Sequence, residues 1–295
     1  MTTMRKLLAT ALLAIATVAS AQTTNLKVMS FNIRFDTPKD TGIISWKSRC
    51  QPCADVIHHV QPDVIGMQEP RGPQYEQIIA TLPDYTYLRI PLGGKVTEKK
   101  SGRIMVFFKT DKYEMKKWGY FWLTEKYEHP GYSFETTDRG NIRAAIWVKL
   151  KDKQTGRQFF FLTTHMPYKR DKLDDSARMK CAQLIVDRMK AIAGEKAPLI
   201  VTGDMNAAWQ LRAPRRNSLL PFYQWMWSAR EMSPITDAHS SFNGWQSTQD
   251  RAWPNNIDHI FYRNAQPLRF VTHDEPNYGV PYVSDHYPIV CDFTF

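Results

Sequence analysis

The chain has 295 residues, 43% hydrophobic, 13% aromatic and 23% charged, with 39 Lys and Arg against 29 Asp and Glu. This is ordinary globular composition; it excludes repeat and low-complexity architectures and leaves enough chain to bury a sizeable core. The net charge of +10 favours anionic partners, with phosphate compounds the obvious class, although any one basic cluster reads equally well as solvated surface.

Arg5 and Lys6 precede an apolar run from Leu7 to Val18, and Ala19-Ser20-Ala21 supplies small residues before Gln22. Residues 1–21 therefore read as a secretory signal peptide, too short to span a bilayer. Its removal takes Arg5 and Lys6 and leaves a net charge of +8. No Cys follows the apolar run to carry a lipid, and no later run is long enough for a transmembrane segment. Residues 22–295 are expected to form one domain, exported to the periplasm or beyond and acting as a monomer. Basic residues recur at Lys95–Arg103, Lys169–Lys172 and Arg212–Arg216.

The first strand-like run, "LKVMSFNI", carries Asn32 near its end. A helix is expected after Ser48, with Ser48 and Gln51 as a capping box and Pro52 in the first turn. Trp46, Cys50, Cys53, Ala54 and Ile57 share one stripe of it, so "CQPC" reads as packing or a local disulfide rather than a catalytic pair. Trp46 and Arg49 are expected to position this helix near the Asn32 loop. "DVIGMQ" is a strand ending at Glu69, followed by a helix over Gln74–Leu82 and the strand "IMVFFK". "AAIWVKLKDKQTGRQFFFLTTH" reads as a hairpin ending at His165, with Arg143 just ahead of it.

A helix across Lys172–Ile192 carries Arg178 and places Cys181 on its apolar face. The strand "PLIVTGD" then ends at Asp204, with Asn206 just beyond. The segment Leu219–Ser228 reads as a helix whose Phe222, Tyr223, Trp225 and Trp227 suit packing better than base or sugar stacking. Two last strands begin with polar groups: Asp258 opens "DHIF", and Asp285-His286 precedes "YPIVCDF", where Cys291 reads as core. Hairpins mixed with helices argue for an α/β fold of mixed sheets packed face to face, with helices outside.

A lone Asp, Asn or His at a strand end is more often a turn former or a satisfied polar group. The set is different, because the start of one antiparallel strand lies beside the end of its neighbour. Asn32, Glu69, His165, Asp204, Asn206, Asp258, Asp285 and His286 can therefore share one rim. Such a rim suits phosphate-ester hydrolysis: carboxylates hold a hard cation, a carboxylate or His orients water, and His and Asn meet phosphoryl oxygens.

The pieces "SFNIRFD", "SWKSR", "PDVIGMQE", "YFWLTE", "TTH", "VTGDMN", "NIDHIF" and "SDHYPIV" together resemble the endonuclease/exonuclease/phosphatase superfamily, and in particular its exported bacterial members of unassigned substrate. The resemblance implies a DNase I-like four-layer α/β/β/α sandwich of two mixed, largely antiparallel sheets, with Mg²⁺ or Mn²⁺ as cofactor. It implies Glu69 as the main metal ligand with Asn32 and Asp285 beside it. Asp204 and Asn206 would orient the attacking water, and Asp258 would hold His286 as general base or phosphate-binding cation. His165 would donate to a phosphate oxygen or the leaving group.

Arg143 and Arg178 are candidate substrate contacts, each weighed against a structural ion pair or loop anchor. One departure concerns "KSGR": Gly102 stands where the family often has an acid that orients the first His. Met166-Pro167-Tyr168 also differs from the polar residues common there. The implied activity is a divalent-metal-dependent phosphoesterase acting on a phosphorylated sugar, inositol or lipid headgroup, or on nucleic acid as an extracellular nuclease. The reading from another class is a non-catalytic anion-binding module that keeps the fold.

Overall fold

A computed structural model describes residues 23–91, 103–208, 218–246, 256–274 and 278–295. The signal-peptide reading, Gly102 and the Arg212–Arg216 cluster lie outside the described residues, as does the 95–102 part of the Lys95–Arg103 cluster. In chain order the elements are β1 (Asn25–Asn32), α1 (Trp46–Val60), β2 (Val64–Gln68), α2 (Pro73–Thr81), β3 (Tyr85–Arg89) and β4 (Ile104–Lys109). There follow β5 (Tyr113–Trp122), β6 (Ala144–Asp152), β7 (Gln158–His165), α3 (Lys172–Ala193), β8 (Leu199–Asp204) and α4 (Leu220–Trp225). The chain closes with β9 (Trp227–Ser228), α5 (Ala229–Met232), β10 (Asp258–Arg263), β11 (Gln266–Thr272) and β12 (Ile289–Thr294).

Two six-stranded sheets form, in the orders β11-β12-β1-β2-β4-β3 and β5-β6-β7-β8-β10-β9. Each has a parallel pair at its centre, β1 with β2 and β7 with β8, and the other pairings are antiparallel. The parallel pairs are the ones joined through a helix, α1 and α3, as a crossover requires. Between the sheets lies one apolar core that includes Val28, Val106, Phe161, Ile200 and Phe293. Met29, Phe31 and Ile65 pack outward on α1 and α2, and Leu162 and Val201 pack outward on α3. Among the described residues no helix is long and apolar enough to cross a membrane.

Side chains alternate between faces along a strand, so the inward series can be followed by twos. On β1 it runs Leu26, Val28, Ser30, Asn32; on β7, Phe159, Phe161, Thr163, His165; on β8, Ile200, Thr202, Asp204. On β10 it runs the other way, Tyr262, Ile260, Asp258. Every series passes from apolar residues, mostly through a hydroxyl, to a site residue at the same rim. Beneath the rim the buried Gln68 amide donates to Ser30 Oγ (3.2 Å), the Gly66 carbonyl (3.0 Å) and Thr163 Oγ1 (2.9 Å). Here the sheets approach closely, because a Cβ on Gly66 would stand 2.3 Å from Thr202 Oγ1 and 2.4 Å from Thr163 Oγ1.

Several expectations are corrected. Helix α1 starts at Trp46 behind Ser45, and Ser48 Oγ donates to the Gly42 carbonyl at 2.9 Å, so no Ser48–Gln51 capping box forms. Pro52 consequently lies inside the helix rather than in its first turn, which leaves the Ser48 carbonyl without its intrahelical donor. All four cysteines are free, and the buried Cys53 thiol donates to the Val283 carbonyl at 3.2 Å, so packing is the role. The Leu219–Ser228 helix ends at Trp225, where β9 joins the sheet edge.

Arg49 does position α1. It is fully buried, and its Nη1 donates to the carbonyls of Ile33 and Val283, both at 2.9 Å, tying the turn after β1 to the loop before Asp285. Four strands absent from the sequence reading, β3, β5, β9 and β11, are the four sheet edges.

The tight approach at Gly66 predicts that Gly66→Val lowers stability by about 1–3 kcal/mol, since the hydroxyls opposite sit in a close-packed interior. A urea midpoint unchanged from the parent would contradict this packing.

Candidate active site

Asp204, at the end of β8, lies in register with His165 on β7 and with Asp258 on β10. Its Oδ2 is 3.3 Å from His165 Nε2 and 3.7 Å from His286 Nε2, and it accepts from Asn32 Nδ2 at 3.0 Å. That last bond crosses from one sheet to the other. His286 in turn has Nδ1 2.8 Å from Asp258 Oδ2, and its ring stands edge-on to Phe242 at 4.9 Å. The result is a buried line of Asp258, His286, Asp204 and His165.

Local backbone shapes serve this line. Gly203, at φ 153°, passes the Thr164 carbonyl so closely that a Cβ would be 2.2 Å from it. Asn206 takes the left-handed region (φ 49°), which Asn tolerates, and its N–H closes onto Asp204 Oδ1 at 2.9 Å. Its Nδ2 then lies 3.1 Å from His165 Nε2. The motif is thus a turn and a site corner at once. Glu69 also has positive φ, 73°, directly after β2. Its Oε2 accepts the Phe35 N–H at 3.0 Å. A non-glycine residue held there costs on the order of 1–3 kcal/mol, and such strain clusters at functional sites.

Glu69, His165, Asp204, Asn206, Asp285 and His286 line a single cavity of about 370 Å³. Asn32 and Asp258 sit just behind it, buried, and reach it through Asp204 and His286. Arg143 also lines the cavity, paired with Asp138 at 3.1 Å. Arg178 does not. It is fully buried, its Nη1 donating to the carbonyls of Pro167 (2.7 Å) and Lys169 (2.8 Å), so it anchors the loop after His165 and the substrate-contact reading is withdrawn. Trp225 and Trp227 lie away from the cavity lining, and Phe222 belongs to the core under α3.

Asn32 Oδ1 accepts the Arg34 N–H at 3.0 Å, and its Nδ2 donates to Asp204.

Arg34, Phe35, Asn141, Phe242 and Ile257, which the sequence did not mark as site residues, also line the cavity, as do Arg103 and Arg170 from the basic clusters and Tyr168 from the segment after His165. Arg34 and Phe35 come just after Asn32 and Ile33, and Arg103 immediately precedes β4 with its carbonyl accepting the Glu69 N–H at 2.8 Å, so proximity to recognised rim residues was an available signal. Asn141 and its partner Asp138 stand in irregular chain with no periodicity to mark them.

Burial lowers the His165 pKa well below its ordinary value, and Arg143, Arg103 and His286 push the same way. Burial also opposes charge on His286, but Asp258 and Asp204 outweigh it and push its pKa up to about 10. Asp204 is raised, chiefly by burial, with Asp258 and Glu69 adding to the effect and His286 offsetting it. Asp285 is raised by burial and by Glu69 against His286 and Arg34. The pKa values of the two histidines are thus pushed in opposite directions.

A hard divalent cation fits this donor set. Asp204, Asp258 and His286 each offer a ligand atom within 4.8 Å of the others. Within that group the imidazolium already lies between two carboxylates. Glu69 and Asp285 face the same cavity with Arg34 as cationic neighbour, 3.5 Å from Asp285 Oδ2. Carboxylates crowded into one buried cavity, with the Asp204 and Asp285 pKa values raised by burial and by neighbouring charge, are the environment that a hard divalent cation relieves.

Comparison with known proteins agrees with the geometry. Residues 29–286 match the sequence model of the Endonuclease/Exonuclease/phosphatase family. An endonuclease/exonuclease/phosphatase structure from Bacteroides vulgatus superposes with a TM-score of 0.77 at 27% identity, covering 92% of this chain and 98% of that one. A mannosyl-6-phosphatase of Bacteroides thetaiotaomicron gives 0.77 at 25% identity, with 92% and 100% covered. Rat nocturnin is 28% identical over 170 residues, 52% of this chain but 37% of its own length. The chain thus spans well under half of that curated relative.

The opposed histidines give a direct test in metal-free protein. Imidazole nitrogen shifts in ¹⁵N NMR at pH 6.5 should show His165 neutral and His286 doubly protonated, with His165 charging only below that pH. An imidazolium at His165 at pH 6.5 would overturn the charge assignment.

Proposed function

The chain belongs to the endonuclease/exonuclease/phosphatase family, and from that premise we propose that it is an exported, divalent-metal-dependent phosphoesterase acting on a small phosphorylated molecule. The supporting observation is the convergence of Glu69, Asp204, Asp285, His165 and His286, carried by both sheets, on one cavity of about 370 Å³. A volume of that size lies in the range of small-molecule pockets. The likeness to a mannosyl-6-phosphatase at 25% identity over nearly the whole chain favours a phosphorylated sugar over a nucleic acid.

In this reading Glu69 and Asp285 hold Mg²⁺ or Mn²⁺, which when bound neutralises charge on the phosphoryl and leaving oxygens. Asp204 accepts a proton from the attacking water, a task suited to a carboxyl whose pKa burial has raised. Asn206, fixed by its turn, helps to orient that water. His286, kept cationic by Asp258, binds a phosphoryl oxygen. Neutral His165 hydrogen-bonds the phosphoryl or leaving oxygen. Asn32 holds Asp204 in place from the opposite sheet.

Release of phosphate from sugar and inositol phosphates in Mg²⁺ or Mn²⁺ should stop with EDTA. Glu69→Ala and Asp204→Ala should each lower kcat/KM by on the order of 10²-fold or more. Activity that survives both substitutions would refute the assignment. Turnover of DNA or RNA alone, falling steeply with salt, would replace the small-molecule substrate by nucleic acid. No turnover of any ester would leave the anion-binding module.

A further inference from the structure

On the His165 side of the cavity, one carboxylate holds one guanidinium directly and a second through an amide. Arg143 Nη2 donates to Asp138 Oδ2 at 3.1 Å, and Asn141 Nδ2 donates to Asp138 Oδ1 at 2.7 Å. Asn141 Oδ1 accepts in turn from Arg103 Nη2. Asp138 and Arg143 are 2% and 6% exposed, so the frame is built into the protein rather than draped over it. Among the described residues no ion pair joins Arg103 to a carboxylate. The buried Nε of Arg143 has no hydrogen-bond partner there either. The Arg103 guanidinium also lies 5.1 Å from the centre of the Phe35 ring, which Arg34 (4.6 Å) and Arg71 (5.7 Å) approach too. Arg103, Asn141 and Arg143 all line the cavity.

Arg103 is half-buried with no ion-pair partner among the described residues, and Arg is the side chain whose fork fits carboxylate and phosphate oxygens. Glu69, Asp204 and Asp285 line the same cavity, where the reacting phosphoryl group has His286 and the cation to meet it. We propose that Arg103 and Arg143 form a second anion subsite that selects phosphate esters whose alcohol portion carries a further anionic group, a carboxylate or another phosphate. This rests on the phosphoesterase reading and narrows its substrate.

The test compares glucose 6-phosphate with glucose 1,6-bisphosphate, and ethyl phosphate with 2-phosphoglycolate. Turnover is read in the parent, Arg103→Met and Arg103→Lys. Binding is read by calorimetry in Mg²⁺ on the Asp204→Asn variant, with and without Arg103→Met. The doubly anionic compound of each pair should be favoured on the order of tenfold in kcat/KM and in affinity, the return from one charge-assisted contact. Arg103→Met should largely abolish that preference and Arg103→Lys should retain part of it.

Equal handling of both members by the parent overturns the subsite. So does a loss in Arg103→Met that is the same for both, which would place Arg103 on the reacting phosphate. Because the result is a ratio within one protein, partial misfolding of a variant does not imitate it. If nothing is hydrolysed while the calorimetric preference holds, the phosphoesterase reading fails and the anion subsite stands.

Discussion

Asn32 and Asp204 come from different sheets, and the 3.0 Å hydrogen bond between them spans the sandwich at its rim. For that bond to form, β1 and β8 must end at the same height with both side chains turned inward. The requirement reaches back along each strand, since a slip of one residue would turn Asn32 or Asp204 away from the interior. Gly66 and the Gln68 amide close the gap just below, so the polar rim and the apolar core are set by one register. Arg49 fixes the same rim from outside by gripping both loops that flank it.

Given that rim, the electrostatics follow from burial. Asp204, Asp285, His165 and His286, buried together, do not keep their solution pKa values. Asp258 and Asp204 on either side push the His286 pKa up, and burial, then Arg143 and Arg103, push that of His165 down.

The sequence displayed the central strands and the site well, and the margins poorly. Runs such as "PLIVTGD" are legible because central strands are buried on both faces and read as unbroken apolar stretches. The edge strands lack that pattern: in β5, Glu114 through Trp118 are exposed, and β9 has only two residues. Site groups at strand ends were visible as polar stops on apolar runs. Asp138, Asn141 and Arg103 were not, since their meaning depends on contacts between separate segments. The amide of Asn32 shows the limit from another side. Its presence at the site was legible, but which of its atoms faces Asp204 is a property of the folded neighbourhood.

Those same margins bear on how the molecule behaves in company. Strand β5 carries Lys116 and Lys117 across a register shift, and β11 has Pro267 at another. Irregular backbone, lysines and proline make poor templates for a passing strand, because a docking chain would meet charge or a missing N–H. Edge strands β5 and β11 are therefore guarded against cross-chain β-pairing and fibril growth.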